Sequence, residues 1–326
     1  MPVFVPPHWR SKSPRITDRD AWLNRRQYMT GGAAALMAGC LPLGRANDTL
    51  AELPTRYPYK LPDVSKHAAY KVGHPNTPTL TNERIAASYN NYYEFTTDKG
   101  RVWELAKNFE TRPWTVEITG KVAKPQQISM DDLLKQMPLE ERAYRFRCVE
   151  AWSMTVPWIG FPLRKLIERA QPLGSAKYVR LITRNAPQAY PGVRSQPWYP
   201  WPYFEGLSIA EATHDLTMLA VGIYGHPLPN QHGAPLRLVV PWKYGFKNIK
   251  AISRIELVEQ QPRTFWNNIA PAEYDFGGNV RPDVPHLRWS QATDRDIETG
   301  NRQPTPMYNG YAKEVASLYP KGPKVG

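Results

Sequence analysis

Residues 145–154 read Arg-Phe-Arg-Cys-Val-Glu-Ala-Trp-Ser-Met, "RFRCVEAWSM". Apolar and charged residues alternate from Ala143 to Val149, which predicts a β-strand carrying Cys148 near its end. Side chains alternate on a strand. Phe146, Cys148 and Glu150 are therefore expected on one face, and Arg145, Arg147 and Val149 on the other. The chain has 2 cysteines, Cys40 and Cys148. A lone thiol between an arginine and a glutamate is either a small buried apolar residue or a reactive group.

The N-terminal sequence narrows the choice. Arg25 and Arg26 precede a small-residue apolar run from Gly31 to Leu43, followed by Gly44-Arg45-Ala46. This is the layout of a twin-arginine export signal over residues 1–46, with the periplasm as destination. The run falls short of the ~20 residues needed to span a bilayer. Met37-Ala-Gly-Cys40 loosely resembles a lipid-attachment box, so Cys40 is either lost with the signal or lipidated. The twin-arginine route carries folded proteins, often with a cofactor already loaded. Cleavage leaves residues 47–326 with Cys148 as the sole cysteine, which excludes an intramolecular disulfide.

Working outward, residues 47–85 are rich in Pro, Thr and Asn and read as an extended arm. Residues 114–119 alternate and form a strand ending at Gly120. Ser129 with Asp132 resembles a capping box opening a helix through Met137. Pro162 to Ala170 reads as a helix with proline in its first turn. Strands are expected over 178–183, 216–224, 236–241 and 249–258, and a short helix over 208–213. Beyond Pro262 the chain reads as irregular and surface-wrapping. Many short strands and a few short helices predict a mixed, strand-rich α+β fold in a single domain, 47–326.

Composition removes several function classes. The formal net charge is +13, yet no Lys/Arg-dense helix or basic run interleaved with aromatics is present. Export argues further against nucleic acid as a partner. A basic exported protein that binds cell-wall polyanions remains an alternative. No GxGxxG turn, Walker loop or HExxH occurs, and none of the 7 histidines stands at metal-ligand spacing from another.

Three constellations could carry chemistry. The first is Cys148 with Glu150. Arg147 beside the thiol is expected to favour a thiolate, a soft ligand for thiophilic metals. One thiolate cannot build a zinc or iron–sulfur site, so any metal needs ligands from outside the chain, and an organic sulfur-bearing cofactor is the natural donor. Glu150 is either a proton donor to a reacting oxygen or the partner of a nearby arginine. The second is the run 231–250, where Arg237, Lys243, Lys247 and Lys250 suit a phosphate, and Trp242, Tyr244 and Phe246 could wall a flat heterocycle. A basic surface hairpin is the alternative. The third is Ser88–Phe95, with adjacent asparagines, tyrosines and Glu94. It either reads the edges of a polar heterocycle or is a packed loop.

"YNNYYEF" (89–95), "PWTVEITGKV" (113–122), "MPLEERAYRFRCVEAWSMTVPWIGFPL" (137–163), "GAPLRLVVPWKYGFKNIK" (233–250) and "RWSQAT" (288–293) together resemble the catalytic subunits of periplasmic protein-methionine-sulfoxide reductases. These are molybdopterin enzymes of the sulfite oxidase fold family. The resemblance covers nearly all of 47–326, and the 137–163 block is its most specific part. It implies a sulfite-oxidase-type fold and a Mo-molybdopterin cofactor, with Cys148 as the single protein ligand to molybdenum. By position it implies cofactor contacts from Asn90, Tyr93, Glu94, Thr183, His232, Arg237, Asn248, Ile249 and Lys250. His232 stands where some relatives have asparagine, and either can donate a hydrogen bond. Glu150 is implied as a proton-delivering catalytic residue. The resemblance further implies reduction of methionine sulfoxide in oxidised envelope proteins. Electrons would come from the quinone pool through a membrane-embedded haem-b subunit. A sulfite-oxidising enzyme of the same fold is the alternative activity.

Overall fold

The hairpin that carries Cys148 is the spine of the larger of two sheets. The computed structural model describes residues 50–54 and 57–320. The expected export signal, Cys40 included, lies outside the described residues. In chain order the strands are β1 (Val64–Lys66), β2 (Thr115–Gly120), β3 (Gln126–Ser129), β4 (Leu139–Cys148), β5 (Trp152–Pro162), β6 (Tyr178–Thr183) and β7 (Phe204–Ser208). They continue with β8 (Met218–Ile223), β9 (His226–Pro227), β10 (Arg237–Val239), β11 (Ile252–Val258), β12 (Thr293–Asp296) and β13 (Arg302–Pro304).

β4 and β5 pair antiparallel from Glu140↔Gly160 down to Cys148↔Trp152. β1 runs parallel along the free edge of β4. The far edge of β5 is shared. β8 pairs antiparallel with its Trp158–Pro162 half, and β12 pairs parallel with Trp152 and Ser153. β9 and β10 extend the sheet from β8, and β13 from β12. The second sheet runs β3-β2-β11-β6-β7. Side chains from both sheets, among them Tyr144, Trp158, Leu181, Leu219 and Ile255, join one buried cluster. From Leu50 onward the chain is one compact unit, the mixed α+β domain expected.

Local signals in the sequence explain most element ends. Ser129 accepts from the Asp132 amide and opens the helix Met130–Gln136. Ser208 and Glu211 form a reciprocal capping box for Ile209–Thr213. In Leu163–Ala170 the buried residues are Leu163, Leu166, Ile167 and Ala170, the i, i+3, i+4, i+7 stripe of a helix on a sheet. Each leucine or isoleucine so buried contributes ~1.5–3 kcal/mol.

Three expectations differ from the structure. No strand was assigned over 152–162, yet β5 is the longest strand described. Pro157 stands opposite Ala143, and the Ala143 amide donates away from β5 to the Tyr70 carbonyl at 2.8 Å. This pair therefore exchanges no ladder bond for the proline to lose. Gly160 is required by close packing, since a Cβ there would lie 2.0 Å from the Leu219 carbonyl oxygen. Second, the segment beyond Pro262 is largely irregular but supplies β12 and β13. Third, the extended arm ends sooner than expected, because Asn82 caps a helix at Glu83–Ser88.

Candidate active site

β4 delivers Cys148 to its end, and the turn Val149–Ala151 reverses the chain into β5. Glu150 therefore lies in the turn and not on the strand, a correction to the alternation argument. Ala151 adopts φ 62°, a left-handed conformation that costs an L-residue ~1–2 kcal/mol. Neighbours hold the turn in place. The Val149 carbonyl accepts from Trp289 Nε1 and Gln291 Nε2, each at 2.8 Å, and the Ala151 carbonyl accepts from the Arg295 amide at 3.0 Å.

Behind the hairpin, Arg145 and Arg147 point away from Cys148 and converge on Asp294. Arg145 grips Asp294 through two bonds of 2.7 Å, and Arg147 Nε stands 3.3 Å from it. Ser153 and Thr305 donate to the same carboxylate at 2.6 and 2.9 Å. These contacts hold the Asp294 carboxyl below the usual range despite its burial, with Arg145 the largest favourable contribution.

In front, Cys148 faces a pocket of about 890 Å³ counted with its open mouth. Asn91 Nδ2 donates to both Cys148 Sγ and Glu150 Oε2 at 3.3 Å. The Glu150 amide reaches Sγ at 3.4 Å, and Glu150 Oε2 lies 3.8 Å from it. Lys99 Nζ closes this cluster with a 3.1 Å ion pair to Glu150. Burial resists the charge on Lys99, but Glu150 and its neighbours outweigh that and raise its pKa. Burial pushes the Cys148 thiol up to about 12, and Glu150 adds to the shift. Arg147 acts the other way but is outweighed, so the expected thiolate-favouring effect is corrected. A thiol this buried ionises only against a strong local positive charge, such as a bound metal ion.

The second wall is the loop 89–94. Gly192 is packed against it so tightly that a Cβ would lie 2.1 Å from the Tyr93 carbonyl oxygen. Asn90, Asn91, Tyr92, Tyr93 and Glu94 all line the pocket. Burial raises Glu94 to about 7, partly offset by Lys250. The third wall holds His232, Arg237, Asn248, Ile249 and Lys250. Arg237 donates to the His232 carbonyl at 2.9 Å and to the Asn248 carbonyl at 3.2 Å, with its guanidinium 4.6 Å from the Trp158 ring centre. Burial and the Arg237 charge lower His232 to about 3, so its ring is neutral. The same two causes lower Lys250 to about 7.

Every expected site residue except Thr183 lines this one pocket. Thr183 sits behind it, donating to the Lys250 carbonyl at 2.7 Å and lining a smaller cavity that shares Glu94 and Tyr203 with the first. Two of the expected phosphate-binding lysines are structural. Lys243 is buried against Glu211 at 2.6 Å, and Lys247 against Glu205 at 2.7 Å. Trp242 and Tyr244 do not reach the pocket, while Phe246 does. In the sequence Asn91 stood out only as one of the two adjacent asparagines of Ser88–Phe95, and the resemblance carried over Asn90 alone. Lys99 was not singled out, since nothing local ties it to Glu150.

Among the described residues no group of three His, Cys, Asp or Glu side chains could hold a metal ion. Buried Asn90 Oδ1, Asn91 Oδ1 and His232 Nε2 have no protein partner, and all three residues line the pocket. Buried polar atoms are nearly always satisfied, so three orphans around one cavity mark a polar ligand. A single thiol, unspent acceptors and two cations on the far wall fit a sulfur-bearing, phosphate-bearing metal cofactor.

Residues 104–266 match the family described as "Oxidoreductase molybdopterin binding domain". The chain is 45% identical over 332 residues to the protein-methionine-sulfoxide reductase catalytic subunit MsrP of Pseudomonas syringae pv. tomato, covering 98% of this chain and 97% of that protein. The crystal structure of the sulfane dehydrogenase SoxCD from Paracoccus pantotrophus aligns with a TM-score of 0.44 at 19% identity, over 69% of this chain and 59% of that one. The chain belongs to the molybdopterin-binding oxidoreductases, in the family of protein-methionine-sulfoxide reductase catalytic subunits.

Proposed function

We propose that this protein, exported to the periplasm, reduces methionine sulfoxide in oxidised envelope proteins, drawing electrons from the quinone pool through a membrane-embedded haem-b partner. The observation that carries the chemistry is the lone buried thiol of Cys148 in a pocket ringed by unpartnered polar atoms. Bound there, Mo-molybdopterin supplies two-electron oxygen-atom transfer. The sulfoxide S–O bond breaks, two electrons and two protons are consumed, and methionine and water result.

The chain's own groups bind, orient and shield. Cys148 Sγ would be the one protein ligand to the metal. Asn90, Asn91 and His232 line the pocket with unspent hydrogen-bonding atoms that would hold the polar pterin. Arg237 and Lys250 line the far wall and would hold the phosphate. Tyr93 and Glu94 close the near wall, and Thr183 fixes Lys250 from behind by its bond to the Lys250 carbonyl. The Glu150 carboxylate, 3.8 Å from Sγ and braced by Lys99 and Asn91, is placed to relay a proton, taking one up and passing it to a departing oxygen.

Sulfite oxidation fits this pocket less well. A dianion wants cations converging on the metal, whereas the charge beside Sγ is the Glu150 carboxylate, with its one adjacent lysine already paired. The test is metal analysis and sulfoxide reduction by Cys148→Ser, purified beside the parent protein. Molybdenum and activity are both expected to be lost. Retention of both would overturn the proposal.

A further inference from the structure

We propose that the mouth of the Cys148 pocket carries an aromatic platform that seats the polypeptide on both sides of an oxidised methionine. The inference rests on the reading of the protein as a methionine sulfoxide reductase and adds the part of the substrate that its pocket does not hold.

A chain of rings runs through the pocket lining. Trp198 meets Tyr199 at 6.0 Å between centroids, Tyr199 meets Trp266 at 6.3 Å, and Trp266 meets Tyr274 at 5.2 Å. Tyr274 meets His286 at 5.7 Å, and His286 stacks on Trp289 at 4.0 Å. The middle rings, Trp266 and Tyr274, line the Cys148 pocket. Trp289 is tied to the cysteine turn by its 2.8 Å bond to the Val149 carbonyl. The platform is thus continuous with the catalytic cavity at its centre and anchored to the catalytic turn at one end.

The series starts at Trp198, 71% exposed, and Leu287, 72% exposed, follows His286 directly in the chain near the other end; these are the most exposed large apolar side chains among the described residues. Isolated surface apolar residues need no explanation. Trp198 is the first ring of the series and Leu287 adjoins His286 near its last, while the pocket-lining rings Trp266 and Tyr274 stand in the middle. Pre-packed aromatic side chains lose little conformational freedom on binding, which suits them to contact a partner. At the Trp289 end the adjacent cation, Arg288, lies over the ring and is paired with Glu273 at 2.5 Å.

The occupant follows from reach. A methionine sulfoxide side chain is short, so bringing its sulfur near Cys148 lays the attached backbone across the rim. With apolar contacts on both sides, the fitting segment is extended, uncharged and apolar at the flanking positions. Free methionine sulfoxide would meet only the pocket-lining rings Trp266 and Tyr274, and not Trp198 or Leu287. The platform therefore separates peptide-borne from free sulfoxide by KM, without changing the chemistry.

The test uses the molybdenum-loaded holoenzyme with a reduced viologen dye as electron source. Trp198→Ala, Leu287→Ala and the double variant are assayed with free methionine sulfoxide and with a short peptide whose central methionine sulfoxide is flanked by leucine and valine. Both sites are exposed, and equal molybdenum content across the variants confirms that they are comparable. The double variant is expected to raise KM for the peptide about tenfold, with kcat unchanged and both constants for the free sulfoxide unchanged. An unchanged peptide KM, or equal changes for both substrates, overturns the inference. A loss seen only with the native membrane electron donor and not with the dye also overturns it, assigning the surface to that partner. Failure of the unsubstituted holoenzyme to reduce either sulfoxide removes the parent reading instead, and the inference with it.

Discussion

The β4–β5 hairpin end presents two faces built from neighbouring residues, and they differ in how their polar atoms are spent. On the back face, the Asp294 carboxylate is shared by Arg145, Arg147, Ser153 and Thr305. On the front face, Cys148 looks onto Asn90, Asn91 and His232, each with a buried atom that has no protein partner. Both faces are buried and polar, but the back face leaves only Arg147 Nε without a hydrogen bond, and that atom stands 3.3 Å from the Asp294 carboxylate. A nearly saturated network holds the fold, while unpartnered atoms around a cavity are reserved for a ligand. The lysines of the run 243–250 divide in the same way. Lys243 and Lys247 are spent on Glu211 and Glu205, whereas Lys250 faces the pocket.

Exchanging damage between the faces is the strongest way to break this contrast. Cys148→Ser should abolish metal binding and turnover while leaving the metal-free protein within ~1 kcal/mol of the parent by denaturant unfolding, because the change is small and nearly isosteric. Asp294→Ala should do the opposite first. It strands two buried arginines and is expected to cost ~3–5 kcal/mol in the same unfolding experiment. A larger stability loss for the cysteine variant than for the aspartate variant would remove the distinction.

The Lys243–Glu211 pair gives a smaller, pH-dependent effect. Burial alone would raise Glu211, but Lys243 dominates with help from Tyr319 and the Ser208 amide, and the carboxyl falls to about 2. Burial still lowers Lys243, so the desolvation cost remains with the lysine. The folded-state pKa of Glu211 lies below its unfolded value of 4.5. Its contribution is therefore full above that unfolded value and is lost as pH falls from there toward 2. Unfolding followed across this window should show a loss of ~3 kcal/mol attributable to the pair. Glu211→Gln should flatten that slope, and an unchanged slope would contradict the assignment.

Lys99→Met probes the front face most gently. Its ion pair with Glu150 is partly exposed, so the stability change should stay within ~1 kcal/mol. If Lys99 braces Glu150 for proton delivery, kcat with methionine sulfoxide should fall about tenfold with KM unchanged. A change in KM alone would place Lys99 in substrate binding instead.

Several features were decided locally and were readable in advance. Two-residue alternation placed Cys148 at a strand end, and the strand was found as β4. Ser129 marked a helix start because a cap needs only a hydroxyl and the amides of the next turn. The solitude of Cys148 in residues 47–326 required outside ligands for any metal, and the 137–163 block pointed to the family that provides them.

Tertiary structure decided the rest, because the deciding partners are distant in the chain. Pro157 is tolerated in β5 because its partner amide bonds elsewhere, which no window around the proline reveals. Arg147 is committed to Asp294 across the sheet, so its charge does not overcome the burial of the neighbouring thiol. Lys243 and Lys247 carry the same composition signal as Lys250, and only the placement of Glu211 and Glu205 separates them. The sequence by itself determined which groups the protein owns and how each strand and helix begins. The fold determined which of those groups are spent on one another and which are left for a ligand, since satisfying a buried polar atom depends on what packing brings within about 3 Å of it.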